Sequence, residues 1–231
     1  MSTHHPLSSS LLKLPTGYAL MAKSCPITNL CLKSSVASYK TLNYILMLPM
    51  HLEKFEYEIG LNNEPFHPSD FLPGLLSQAA SLKELKIVFK QYDPEWQDDD
   101  EPFIGSLSAM SALEILRAPL SVVLPGAKEL IDSDYASACT RNPLDDLLPP
   151  NLTVLELAIG YLSLARFIGH TGIPQNLHLT SQCVPSLRTL EVSGDFDDHG
   201  VIHRLLKEVP KLNPPLNLIL FNISNESLPS S

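Results

Sequence analysis

The grouping whose residue types and spacing come nearest to chemistry is SGDFDDHG, where Asp195, Asp197, Asp198 and His199 fall together. Carboxylates so arranged are hard oxygen donors suited to a divalent cation. They also follow a strand-like run and precede the apolar pattern of Val201 to Val209, where acidic side chains cap a helix and favour its positive end. Capping is the simpler reading, and no metal site is expected. Cys25, Cys31, Cys139 and Cys183 include no CxxC pair and do not alternate with histidines, so neither a zinc site nor a disulfide framework is indicated. The sequence has no GxSxG elbow, no Gly-rich phosphate loop and no HExxH, and glycine occurs only 10 times. With no nucleophile or acid–base set to assemble, the chain reads as non-catalytic and free of cofactors.

Charge narrows the partners. There are 16 Lys plus Arg against 25 Asp plus Glu, a formal charge of −9 and a pI near 5.3. Nucleic acid and anionic membranes both draw affinity from clustered cations, so neither is expected as a partner. The first residues lack a basic start followed by an apolar run, and no stretch reaches the roughly 18 apolar residues of a membrane span. The expected location is cytoplasmic or nuclear, where the sequons at Asn151, Asn222 and Asn225 never meet the glycosylation machinery.

What remains is a pattern, and LDDLLPPNLTVLEL from Leu144 to Leu157 shows it most clearly. A short apolar turn stops at Pro149 and Pro150, because the proline ring removes a donor and forces the preceding residue into extended geometry. The chain then re-enters with Leu152, Leu155 and Leu157, and the alternation of Leu155, Glu156 and Leu157 has the two-residue period of a strand. The same apolar-x-x-apolar-x-apolar core recurs at Ile27/Leu30/Leu32, Leu52/Phe55/Tyr57, Leu82/Leu85/Ile87, Leu113/Leu116/Ala118, Leu187/Leu190/Val192 and Leu216/Ile219/Phe221. Helix-like spacing precedes several of these cores, at Leu42 to Leu48, Phe71 to Ala79, Phe103 to Met110 and Val201 to Val209. One such unit cannot bury its own apolar side and needs neighbours of the same build. The expected fold is therefore α/β, an irregular leucine-rich repeat solenoid of about seven units with a curved parallel sheet and helices on the convex side. Strand cores stand roughly 25 to 39 residues apart, wider than the about 20 to 29 of regular repeats.

In such a stack the residues between the core positions line the concave face of the sheet. The row between the last two core residues reads Cys31, Glu56, Lys86, Arg117, Glu156, Glu191 and Leu220; the row before it reads Asn29, Lys54, Glu84, Ile115, Val154, Thr189 and Leu218. Lys54, Glu56, Glu84, Lys86, Arg117, Glu156 and Glu191 are accordingly the candidate protein-binding residues. The face is expected to grow more apolar toward the C-terminal units. Lys54/Glu84 and Glu56/Lys86 also read as cross-strand charge pairs worth under about 1 kcal/mol each.

Residues 1–20 form a weakly patterned lead-in, 21–223 the repeat domain and 224–231 a disordered tail. No polar cap unit precedes the first core, which implies that something upstream, or another element, covers that end. Two long connections interrupt the repeat. The acidic stretch at 90–102 holds the single tryptophan, Trp96, which reads either as part of a solvated loop or as an aromatic contact for a partner; 128–143 is a polar insertion.

FIGSLSAMSALEILRAPLSVVLPG at 103–126 and LDDLLPPNLTVLELAIG at 144–160 resemble the irregular leucine-rich repeat region of fungal F-box proteins. The resemblance implies that the repeats hold a substrate while an N-terminal F-box docks on the adaptor of a cullin-RING ubiquitin ligase. LKLPTGYAL at Leu12 to Leu20 has the Leu-Pro of an F-box start but lacks both its acidic residue and the amphipathic helical stretch that an F-box continues with. Two functions are thus expected to compete: a non-catalytic protein-binding domain, in the resemblance a ligase substrate receptor, and a truncated repeat fragment with a structural role or none.

Overall fold

The structure, a computed structural model, describes residues 22–35, 37–60, 68–89, 103–123, 147–163, 184–195 and 216–222. Seven strands run β1 (Asn29–Ser35), β2 (Lys54–Ile59), β3 (Glu84–Phe89), β4 (Ile115–Pro119), β5 (Val154–Ser163), β6 (Thr189–Asp195) and β7 (Asn217–Asn222). They form one sheet in which every strand pairs, in parallel, with its neighbours in sequence. Among the described residues, the connections that follow β1 and β2 lie over one face of the sheet, where Leu42, Leu46, Phe71 and Leu75 join the core. That face is the buried one.

Alternation within the strands follows from this one-sided cover. Parallel sheets are commonly covered on both faces and read as continuous apolar runs. Here β2 alternates half-buried with buried residues throughout. Phe55, Tyr57, Leu85, Ile87, Leu116, Ala118, Leu155, Leu157, Leu190 and Val192 point inward and are buried, as are the leading leucines Leu52, Leu82, Leu113, Leu152 and Leu187. Tyr57 stacks on Phe55 with ring centres 6.2 Å apart and meets the edge of Phe71 at 6.1 Å.

The described parts of the connections supply lids for their layers. Helix α1 (Tyr39–Met47) starts at Ser38, whose hydroxyl accepts the Thr41 amide, and buries Leu42 and Leu46 one turn apart before Pro49 ends it. A 3-10 turn, Pro68–Phe71, leads into the short α2 (Leu72–Leu76), which buries Phe71 and Leu75. Gly74 lets α2 approach α1 closely, since a Cβ there would stand 2.9 Å from the Asn43 Cα. Asn43 fixes the contact, accepting the Gly74 amide at 2.6 Å and donating to the Asp70 carbonyl at 2.5 Å.

The helix expected over Phe103 to Met110 is absent. Ile104, Leu107 and Met110 are buried at three-residue spacing, but the segment is irregular, with a turn near its end. Gly105 has φ +99°, and the amides of Ile104 and Leu107 go to the carbonyls of Val122 (2.9 Å) and Leu147 (2.8 Å) rather than to a helical partner. A four-residue helix, α3 (Leu120–Val123), lies in the next turn instead.

Two features lock the layers in register. At the starts of β2 to β6 a single carbonyl of the preceding unit takes two successive amides: Thr28 from Glu53 and Lys54, Glu53 from Lys83 and Glu84, Lys83 from Glu114 and Ile115, Glu114 from Thr153 and Val154, and Thr153 from Arg188 and Thr189. Gln78, 1% exposed, is the second. Its side chain donates to the carbonyls of Leu46 (2.7 Å) and Pro49 (3.0 Å) and accepts from the Leu52 amide (3.2 Å) and the Ser81 hydroxyl (3.1 Å). Every donor and acceptor of the amide is thereby used.

The end strands depart from the expected pattern. Ile27, read as a core residue, is 46% exposed, and Leu30 and Leu32 are only partly buried; among the described residues no strand lies beyond β1. In β7 the inward residues are Leu218 and Leu220, aligned with Leu190 and Val192, so the expected core pair Ile219/Phe221 faces the other way and Phe221 is 51% exposed. The lead-in 1–20, the connections 90–102 and 128–143, the helix-like patch 201–209 and the tail 224–231 lie outside the described residues.

Candidate functional site

The open face of the sheet carries the candidate residues on adjacent strands. Asn29, Lys54, Glu84, Ile115, Val154, Thr189 and Asn217 form one row; Cys31, Glu56, Lys86, Arg117, Glu156, Glu191 and Ile219 form the next. Asn217 and Ile219 thus stand where Leu218 and Leu220 were expected. LNLILF has apolar residues at nearly every position, so the alternation alone does not fix its register.

Most of the charged candidates hold one another. Lys54 Nζ lies 3.0 Å from Glu84 Oε2, and Lys86 Nζ lies 3.0 Å from Glu56 Oε1, each pair directly opposite in register. Arg117 spans two strands, with Nη1 2.6 Å from Glu84 Oε1 and Nε 2.9 Å from Glu156 Oε2. Lys54, Glu84, Arg117 and Glu156 therefore make one chain of alternating charge from β2 to β5. The hydrogen bond from Lys86 holds the Glu56 carboxyl below its ordinary value, with smaller contributions from the Lys86 charge, Cys31 and Lys33, against a desolvation that raises it. Side chains this accessible, from 17% for Glu84 to 42% for Lys54, gain little stability, about 1 kcal/mol or less per pair. Their effect is to fix the positions of long side chains that would otherwise be mobile.

Glu191 is different. Its register partners are Glu156 on one side and Ile219 on the other, and it has no ion pair among the described residues. Sequence pattern places it in the row, yet gives no sign that it stands apart from the charge chain. The Arg117 bond to Glu84 also escapes the pattern, because it runs diagonally between rows. Phe221, expected in the core, belongs to the open face. Gln78 and Asn43 carry no motif in the sequence; the one signal is a polar residue facing the core, as in QAAS.

Trp96 lies outside the described residues, as do Asp197, Asp198 and His199. No group of three or more His, Cys, Asp or Glu is close enough to hold a metal among the described residues. Within the same residues no helix is long and apolar enough to cross a membrane. Comparison with protein-family models, with curated proteins and with solved structures finds no match to this chain.

Proposed function

We propose that the chain is a leucine-rich repeat solenoid without catalytic activity, whose open sheet face binds a protein partner. The observation that carries this reading is a seven-stranded parallel sheet in sequential order, one face filled by apolar side chains and the other free to present residues on a regular grid. The resemblance over 103–126 and 144–160 supports a narrower form, in which the partner is a substrate held for a cullin-RING ubiquitin ligase in the cytoplasm or nucleus. To test the face, a partner recovered on the tagged chain is footprinted by amide exchange on β2–β6. Capture is then repeated with the paired swap Glu56→Lys/Lys86→Glu and with Arg117→Glu. Weaker capture at an unchanged melting temperature is expected; full capture by both variants counts against this face. Co-purification of the ligase adaptor tests the narrower form, and a chain that recovers its partner without adaptor loses it.

The exposure of Ile27 (46%), Met47 (37%) and Met50 (42%) favours a second reading, a repeat fragment with no independent role. These residues are drawn together where Lys23 donates to the Met47 carbonyl and Met50 to that of Cys25. A monomer that melts cooperatively on its own argues against it.

A further inference from the structure

We infer that the partner is engaged on the β5–β7 half of the open face, through a segment in which one arginine or lysine is flanked by apolar side chains. This rests on the open face being the binding surface and adds where the contact is made and what chemistry it requires.

Register places nine outward residues of these strands on a three-by-three grid: Val154, Thr189 and Asn217; Glu156, Glu191 and Ile219; Ala158, Ser193 and Phe221. Glu191 is at the centre. None of the other eight positions is a cation, so a carboxylate partner must come from outside this grid. Glu156, directly opposite, adds a second negative charge; one of its oxygens is taken by Arg117 on the far side, and Arg117 is shared with Glu84. Adjacent strands are about 4.8 Å apart, close enough for a single guanidinium or ammonium to touch both carboxylates. Around this centre the grid is apolar or neutral, and Phe221 is the most exposed of the large apolar side chains described. An apolar neighbour of the cation would cover Ile219 and Phe221, drying the charge pair and strengthening it.

The β2–β4 half offers less. Lys54, Glu84, Arg117, Glu56 and Lys86 already satisfy one another, and a ligand there must break those bonds before making its own. Polarity also follows: with these pairs cancelled, the charge left over on the face is negative, in keeping with the −9 of the whole chain.

The test pans a displayed random heptapeptide library against the immobilised full chain, and measures selected peptides by titration against the chain and its variants. Selected sequences are expected to be enriched in Arg or Lys beside apolar residues, to weaken about tenfold with Glu191→Gln and to lose affinity with added salt. Phe221→Ser should weaken them several-fold. Variants are compared at matched melting temperature. Peptides without a basic excess, or no peptide above background, overturn the inference. Peptides that lose affinity to the Glu56→Lys/Lys86→Glu swap but not to Glu191→Gln overturn it while leaving the open face as the binding surface. Peptides indifferent to all three variants remove both.

Discussion

Replacing Gln78 by leucine keeps the volume of a buried side chain and removes four hydrogen bonds. Three backbone groups then lose their partner: the Leu46 and Pro49 carbonyls, which close the end of α1, and the Leu52 amide, which leads into β2. A buried polar group left unpaired costs about 1–3 kcal/mol. Partial relaxation brings the sum to about 3–5 kcal/mol, a large part of the roughly 5–15 kcal/mol that holds a domain folded. With a urea dependence of about 3 kcal/mol per molar, the unfolding midpoint of Gln78→Leu should fall by roughly 1–2 M at unchanged slope. Amide exchange locates the loss: Leu52 should lose protection, whereas the β6 and β7 amides should keep theirs if the damage stays local. Gln78→Glu should be at least as damaging at neutral pH, since a carboxylate faces two carbonyls, and should partly recover as acid protonates it and restores one donor. A Gln78→Leu midpoint within about 0.3 M of the parent would refute the reasoning, for it would mean that water or a shifted backbone satisfies all three groups.

Three further outcomes are expected. Gly74→Ala puts a Cβ against the Asn43 backbone and should cost about 1–3 kcal/mol in thermal or urea unfolding; an unchanged melting temperature would show that α1 and α2 can separate freely. Leu220→Ser should lower the melting temperature, while Phe221→Ser should leave it nearly unchanged; the reverse result would restore the register in which Phe221 faces inward. Burial pushes the Tyr57 hydroxyl up to about 12, so of the seven tyrosines it should ionise late by tyrosinate absorbance. The sign is that of a raised folded value. Its contribution to stability is complete below the ordinary value of 10.0 and is lost as pH rises from there toward 12, and Tyr57→Phe should flatten that alkaline loss.

How far the sequence discloses this molecule differs from unit to unit. The cores from Leu52 to Val192 are legible because each has two alternating inward residues with a charged one between them (Glu56, Lys86, Arg117, Glu156 or Glu191), and a one-residue slip would put that charge inside. LNLILF carries no such penalty, so either register looks equally good, and pairing with β6 decides it. Over Phe103 to Met110, three-residue spacing fits a helix as well as an irregular segment; a glycine at positive φ and amides committed to other units settle the matter. Lys54/Glu84 and Glu56/Lys86 can be paired on paper because they occupy equivalent places in successive units. Arg117 reaching both Glu84 and Glu156 cannot, since a long side chain chooses between rows by geometry. That Glu191 has no ion pair among the described residues emerges only once β7 is aligned.

The carbonyl that receives two amides at the starts of β2 to β6 also bears on how such a chain can change over generations. Because that clamp, and not the length of the preceding connection, sets where the next strand begins, loops can be lengthened, trimmed or exchanged without sliding the outward side chains against one another. The 39 residues separating Leu113 from Leu152 and the 25 separating Ile27 from Leu52 end in the same alignment. Selection can thus remodel the rim of this protein while its wall of presented residues stays in step.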